Sequence, residues 1–231
     1  MKKYKHIFFD LDRTLWDFDY NSRITLNYIF EKLNLNSRGI KSFVSFFETY
    51  KVVNKHLWLK YRDGIITKEK LRSKRFKETL FKLGIFDQDL SNKISSLYIQ
   101  NSPKQTKLLP NTKYILDFLK EKYQLHIITN GFKEVQILKL KNSGIYNYFQ
   151  NIIISEDVGV LKPNKKIFSY TLDLCQSIPE ECLMVGDDLT SDILGAKQVG
   201  IDQVFCNYNT IRAKNQPTYM IHDLVELESI L

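Results

Sequence analysis

Two aspartates follow the first apolar segment of the chain. Residues 6–9 (HIFF) lead directly into Asp10 and Asp12. The apolar segment predicts a β-strand, so both carboxylates lie at its carboxyl end, on the same side of the chain. Two carboxylates this close repel each other, and a cation, a shared proton or a bound metal must offset the repulsion. The pair is therefore a candidate for chemistry, although an Asx-type turn at a strand end would use the same residue type.

Three further segments show the same pattern, an apolar stretch that ends in small or polar residues. We expect strands at residues 125–128, 159–161 and 182–185, followed in turn by Thr129-Asn130-Gly131, by Lys162-Pro163 and by the segment GDDLTSD, which holds Asp187, Asp188 and Asp192. In an open parallel sheet, ligands bind outside the carboxyl ends of the strands, so these strand ends should lie together. Carboxylates, one ammonium, and hydroxyl and amide donors suit a magnesium ion and a phosphoryl group.

A long helical segment interrupts this series of strands. From Trp16 to about Thr106, apolar residues recur at helical spacing and do not alternate as they would in a strand. On either side of it, strands alternate with helices, and the same patterns predict later strands at residues 152–154, 204–206 and 219–221 and helices at residues 112–121, 132–143, 165–175 and 224–231. We predict an α/β fold, a doubly wound parallel (Rossmann-like) sheet made of residues 1–15 and 107–231, with an inserted all-helical cap domain at residues 16–106.

The charge of the chain favours anionic small molecules as partners. Lys and Arg number 34 and Asp and Glu 26, which gives a formal net charge of +8. The basic residues are scattered and form no block, so we expect no dedicated nucleic-acid surface. A positive field of this kind attracts phosphorylated substrates.

Other features of the sequence are typical of a cytoplasmic enzyme. No apolar run approaches the length of a membrane span, and the start of the chain leads into a strand and not into a signal peptide. We therefore expect a cytoplasmic monomer or small homo-oligomer that does not bind membranes. The three cysteines, Cys175, Cys182 and Cys206, have no CxxC spacing, which predicts buried free thiols.

Four motifs in order resemble those of the haloacid dehalogenase-like hydrolase superfamily. They are DLDRTL at residues 10–15, TNG at 129–131, KP at 162–163 and GDDLTSD at 186–192. The resemblance implies aspartate-based phosphoryl transfer with Mg²⁺ as cofactor. It makes Asp10 the nucleophile that forms an aspartyl-phosphate. Asp12 would be the general acid for the leaving group and then the base that activates water.

The same resemblance gives the remaining motif residues their roles. Thr129 and the backbone N–H groups of Asn130 and Gly131 would hold phosphoryl oxygens, and Lys162 would neutralise charge on the nucleophile and the phosphoryl group. Magnesium would be bound by Asp10, by the backbone carbonyl of Asp12 and by Asp187. Asp188 and Asp192 would either orient metal-bound waters or Lys162, or cap the helix that begins near Thr190.

The insert occupies the position at which this superfamily carries its helical cap. Residues 54–67, with Leu71, Arg75 and Phe76, resemble the cap of bacterial pyrimidine nucleoside 5'-monophosphatases. This implies a small phosphorylated metabolite as substrate, a pyrimidine nucleoside monophosphate. The cap aromatics either pack helix on helix or stack on a base. They are Trp58, Tyr61 and Phe76, with Phe18 and Tyr20 at the hinge.

Several alternatives share part of this pattern. Small sugar-phosphate phosphatases, phosphoglycolate phosphatases and phosphomutases carry the same four core motifs. Dehalogenases of the superfamily lack the second aspartate and the metal, so Asp12 and Asp187 argue against that reaction. A non-catalytic binding or regulatory protein on the same fold would have no need of two apposed aspartates. Arg13 departs from the superfamily pattern, in which this position is typically Gly or Asn.

Overall fold

Six parallel strands form one sheet. The computed structural model describes residues 4–208, 210 and 216–231. The strands are β1 (His6–Phe9), β2 (Gln124–Thr129), β3 (Asn151–Ile154), β4 (Cys182–Gly186), β5 (Asp202–Cys206) and β6 (Tyr219–Ile221). Their order in the sheet is β3-β2-β1-β4-β5-β6, and every pairing is parallel. The prediction of a doubly wound parallel sheet is confirmed. Sheets with this order bind ligands where the strand order reverses, which here is between β1 and β4.

The register brings the ends of the central strands to the same edge. Phe9, the last residue of β1, lies opposite Ile127 of β2 and Val185 of β4. The N–H of Asp10 continues the ladder by donating to the carbonyl of Val185 at 2.9 Å. The residues that follow β1, β2 and β4 therefore begin at nearly the same level of the sheet.

Alternation along the central strands fills an apolar core on each face of the sheet. Ile7 and Phe9 pack into one buried cluster with Val185, whereas Phe8 packs into the other with Met184. Because successive side chains of a strand point to opposite faces, the short run HIFF can contribute to both clusters. Such continuous apolar runs are typical of strands that are covered on both faces.

Helices and turns connect the strands. The insert holds the first four helices of the chain, so the α-helices that follow it are α5 (Thr112–Lys120), α6 (Lys133–Asn142), α7 (Ser155–Val158), α8 (Lys165–Cys175) and α9 (Gly195–Lys197). A π-helical segment, Leu189–Leu194, precedes α9. The last element, Leu224–Ser229, is a 3-10 helix that ends two residues before the end of the helix predicted at residues 224–231. Asp223 and Glu226 form a capping box at its start.

The strand predicted at residues 159–161 is not present. The sheet position next to β2 is taken by β3, and α7 follows it directly. Gly159 then ends α7 in the left-handed conformation, with φ of 77°. The apolar pair after this glycine is too short to form a strand, and it lies in the loop that leads to Lys162.

The insert is a helical unit with a core of its own. The chain divides into two compact units, one comprising the residues up to Phe18 and those from Thr106 onwards, the other Asp19–Gln105. Apolar residues of the insert form a separate buried cluster that includes Leu26, Phe46 and Leu80. Its helices are α1 (Phe18–Lys32), α2 (Phe43–Arg62), α3 (Lys68–Lys82) and α4 (Gln88–Asn101). In the part of the chain that the structure describes, no helix has the length and apolar character needed to cross a bilayer.

Candidate active site

Lys162 lies at the centre of the polar residues that follow the strands. Its Nζ is 2.7 Å from Asp10 Oδ1, 2.7 Å from Asp192 Oδ1 and 2.6 Å from the carbonyl oxygen of Ile128. An ammonium has three donors, so these three acceptors satisfy it. Burial alone would lower the pKa of Lys162, but the two carboxylates outweigh burial and raise it above its usual value. Lys162 is therefore a fixed positive charge beside Asp10.

Three carboxylates lie close together at this place, and two of them contact the ammonium. Asp10, Asp187 and Asp192 bring carboxylate oxygens within 4.8 Å of one another. Burial raises the pKa of Asp10 to about 7, although Lys162 opposes the shift. Burial and the neighbouring carboxylates Asp10 and Asp192 raise the pKa of Asp187 well above its usual range. If all three were ionised, they would carry more negative charge than the single ammonium neutralises.

The donor set fits a hard divalent cation. Magnesium is bound in proteins by carboxylate and carbonyl oxygens, and the raised carboxyl pKa values show that positive charge would be favourable here. Asp192 is already engaged, since its Oδ1 contacts Lys162 and its Oδ2 accepts the N–H of Asp188 at 3.1 Å. Asp10 and Asp187 are thus the carboxylates best placed to hold a metal.

The two acidic residues after Asp187 have different contacts. The carboxylate of Asp188 accepts the N–H groups of Thr190 and Ser191, both at 2.8 Å, and so caps the π-helical segment. Asp192, by contrast, contacts Lys162. Gly186 lies against the Asp192 side chain so closely that a Cβ at this position would overlap it. Of the two roles considered for this pair, capping falls to Asp188 and orientation of Lys162 to Asp192.

The loop after β2 holds a hydroxyl and positions Lys162. Thr129 Oγ1 is buried and accepts both the Gly131 N–H at 3.1 Å and Gln136 Nε2 at 2.7 Å, which leaves its own hydroxyl proton to donate. Asn130 makes two hydrogen bonds to the backbone of Lys162, donating to its carbonyl at 3.0 Å and accepting its N–H at 2.8 Å. The side chain of Asn130 therefore ties the lysine loop to the end of β2.

The Asp12 carboxylate contacts two side chains of helix α6. Its Oδ1 is 2.6 Å from Lys139 Nζ, and its Oδ2 accepts from Gln136 Nε2 at 3.1 Å. Lys139 is buried, and its Nζ lies 4.1 Å from the centroid of the Trp16 ring. Burial lowers the pKa of Lys139, against the effect of Asp12. Through Gln136, the Asp12 carboxylate is also linked to Thr129.

Lys139, Gln136 and Thr14 were not among the residues selected from the sequence. Lys139 and Gln136 are buried on α6 with Leu140, and they occupy positions i, i+3 and i+4 of one helical face. Polar residues on the buried face of a helix are the signal that could have identified them. Thr14 is buried after β1 and donates to Asp187 Oδ1 at 3.3 Å.

Arg13 adopts the conformation that explains why Gly or Asn is typical at this position. Its φ is 66°, in the left-handed region that these two residues tolerate best. The Arg13 guanidinium lies 4.3 Å from the centroid of the Phe18 ring. This cation–π contact offsets part of the backbone cost of about 1 kcal/mol.

The aromatic residues of the insert fall into two groups. Phe76 is fully buried and stacks on Tyr50 with a centroid distance of 5.5 Å, so it packs helix on helix. Trp58 and Tyr61 are partly exposed and contact each other edge to face at 5.7 Å. Tyr20 is half exposed. Of the three residues on α2 and α3, only Trp58 and Tyr61 therefore retain a surface that could contact a ligand.

Comparisons with known proteins identify the family of this chain. The family model described as haloacid dehalogenase-like hydrolase matches residues 4–200. The pyrimidine 5'-nucleotidase YjjG of Escherichia coli (strain K12) is 33% identical over 99% of this chain and 98% of its own. The pyrimidine 5'-nucleotidase PynA of Streptococcus pneumoniae is 29% identical over 97% and 93%.

A solved structure agrees with these relatives. The crystal structure of YfnB from Bacillus subtilis, bound to magnesium, superposes with a TM-score of 0.90 at 30% identity and covers 99% of both chains. The resemblance inferred from the four motifs is therefore confirmed, and this chain belongs to the haloacid dehalogenase-like hydrolases.

Proposed function

We propose that this protein is a magnesium-dependent phosphomonoesterase that forms an aspartyl-phosphate on Asp10 and acts on pyrimidine nucleoside 5'-monophosphates. The observation that carries the reaction type is the Asp10 carboxylate, buried at the end of β1 and bonded to Lys162 at 2.7 Å, with Asp187 beside it. The substrate class is supported by the full-length relatives YjjG and PynA, both pyrimidine 5'-nucleotidases.

In the first step, a carboxylate oxygen of Asp10 attacks phosphorus while the bond from phosphorus to the ester oxygen breaks. Lys162 fixes the orientation of Asp10 and offsets charge that develops on the phosphoryl group. Thr129 donates its free hydroxyl proton to a phosphoryl oxygen. The Gly131 N–H, which the resemblance assigned to phosphate binding, already donates to Thr129, so it supports this residue.

Asp12 moves the protons in both steps. As general acid it protonates the leaving alkoxide, and as general base it takes a proton from the water that attacks the aspartyl-phosphate. That attack releases inorganic phosphate and restores Asp10. Lys139 and Gln136 are positioning residues, because they hold the two oxygens of the Asp12 carboxylate from helix α6.

Asp10, Asp187 and the backbone carbonyl of Asp12 are the groups that we assign to magnesium. The bound ion would supply positive charge that keeps Asp10 ionised and holds the phosphoryl group against it. Asp192 supports the site through Lys162, and Thr14 holds Asp187.

The test is release of phosphate by the purified protein with and without Mg²⁺, over a panel of nucleoside monophosphates, sugar phosphates and phosphoglycolate, with Asp10→Asn as the blank. We expect dUMP, dTMP and UMP to exceed the other substrates in kcat/KM by tenfold or more. Sugar phosphates or phosphoglycolate at the head of the panel would refute the substrate class and leave the reaction type standing. Absence of turnover by folded, magnesium-loaded protein on every substrate would refute both.

A further inference from the structure

A second group of metal-ligating side chains lies near the start of β1. His6 begins β1, His126 stands in β2, and Cys175 is the last residue of α8. One ligand atom from each lies within 4.8 Å of the others. His6 precedes Asp10 by four residues of extended chain, about 13 Å at the rise of a strand. The group is therefore distinct from the aspartates of the proposed active site.

The spacing of the ligand atoms is close to that of a tetrahedral zinc site. His6 Nδ1 is 3.1 Å from His126 Nε2, and Cys175 Sγ is 3.7 Å from the same nitrogen. A tetrahedral Zn²⁺ with ordinary bond lengths separates two nitrogens by about 3.4 Å, and nitrogen from sulfur by about 3.6 Å. A ring nitrogen of His6 and Cys175 Sγ lie within 4.8 Å of each other, and Sγ is 3.8 Å from the second ring nitrogen of His126. Rotation of the imidazole rings, which now hydrogen-bond to each other, would aim both nitrogens and the sulfur at one ion.

The protein around this group keeps the two imidazoles uncharged and leaves Cys175 open to solvent. His6 and His126 are buried, and burial lowers the pKa of both imidazoles, that of His126 to about 4. They are thus uncharged at neutral pH, as metal binding requires. Cys175 is partly exposed, so an ion can reach the group from its side.

We propose that His6 Nδ1, His126 Nε2 and Cys175 Sγ bind a thiophilic d¹⁰ cation, Zn²⁺, with water in the fourth position. The Cys175 thiol loses its proton to solvent as the zinc–sulfur bond forms. His126 shifts its ring proton from Nε2, where it is shared with His6, to Nδ1. Asn151, whose amide now donates to His126 Nδ1 at 3.1 Å, would turn over and accept that proton through its carbonyl oxygen.

Cobalt(II) is the probe for this site, because a thiolate ligand gives a near-ultraviolet charge-transfer band that carboxylate ligands do not. The full chain is titrated with Co²⁺ under reducing conditions and saturating Mg²⁺, which occupies the aspartates. We expect the band to reach its limit at about one Co²⁺ per chain, and Zn²⁺ to displace it.

The variants identify the ligands. Cys175→Ala should abolish the band. His126→Gln removes a direct ligand and should weaken Co²⁺ binding by more than about a hundredfold, the upper range for loss of a group that only supports a ligand. Cys182→Ala and Cys206→Ala are matched controls that should keep it, and circular dichroism verifies that each variant is folded. The proposal is wrong if the wild type shows no band, if the band survives in Cys175→Ala, or if either control abolishes it. Asp10→Asn should keep the band, so this test is independent of the proposed catalysis.

Discussion

The pair formed by Lys139 and Asp12 makes an asymmetric prediction for stability. The Lys139 side chain is 4% exposed, whereas that of Asp12 is 25% exposed. In Lys139→Met, water can solvate the Asp12 carboxylate and the methionine still packs on Trp16, so we expect a loss of about 1–2 kcal/mol in the free energy of unfolding. Asp12→Asn leaves the buried ammonium without its anion and should cost more, about 3 kcal/mol. The double variant should lose less than the sum by about 1–3 kcal/mol.

Lys139→Met should also affect catalysis. If Lys139 acts by holding Asp12, Lys139→Met should lower kcat for a nucleoside monophosphate by about a hundredfold, the lower range for loss of general acid–base catalysis. The double variant should be no slower than Asp12→Asn alone. The first turnover of p-nitrophenyl phosphate should fall by less than tenfold, because p-nitrophenolate leaves without a proton.

Denaturant unfolding and rapid-quench kinetics on the four proteins of this cycle measure both effects. Lys141→Met is the matched control, since Lys141 is an exposed lysine on the same helix, and it should behave as wild type. A kcat for Lys139→Met within threefold of wild type, or a coupling free energy below about 0.5 kcal/mol, the limit for independent sites, would refute the reasoning.

Three further predictions concern other parts of the chain. Asn130→Ala removes both hydrogen bonds to the backbone of Lys162 and should lower kcat by about tenfold. Asn142→Ala, at an exposed position, is the control and should leave kcat unchanged. An unchanged kcat in Asn130→Ala would contradict the positioning role. Trp58→Ala should raise KM for UMP by threefold or more with little loss of stability, whereas Phe76→Ala should lower the free energy of unfolding by about 3–5 kcal/mol. Equilibrium unfolding and steady-state kinetics measure both effects, and the reverse pattern would contradict the roles given to the two rings. Burial and the neighbouring His6 lower the pKa of His126 from 6.5 to about 4. When a chelator keeps metal away, the stability that neutral His126 contributes is therefore complete above pH 6.5 and is lost as the pH falls to about 4. The loss in the free energy of unfolding reaches about 3 kcal/mol. If wild type and His126→Gln differ in this free energy by the same amount at every pH, the prediction is wrong.

The central strands β1, β2 and β4 were predictable because each is a short apolar run that ends at a polar motif. HIFF before Asp10 is the clearest case, since a strand buried on both faces needs no alternation. The same reasoning failed at residues 159–161. There a left-handed Gly159 ends a helical turn, and a loop, not a strand, brings Lys162 to Asp10. Sequence pattern alone does not distinguish a short apolar loop from a short buried strand.

The motif residues of the candidate site were predictable, but their supporting contacts were not. Asp10, Lys162 and Asp187 were selected by residue type and by place after a strand. Lys139 was missed because α6 has apolar residues on more than one side. Leu138 is 47% exposed, so periodicity could not show which face of the helix is buried.

The central claim is that Asp10 becomes phosphorylated during turnover. The most direct measurement is to quench the protein during turnover of UMP with Mg²⁺, reduce it with borohydride, and map the product by peptide mass spectrometry. Borohydride converts an aspartyl-phosphate to homoserine, so we predict homoserine at position 10 in the wild type and none when Mg²⁺ is withheld. Turnover with an unmodified Asp10, or with the modification at another residue, would contradict the mechanism.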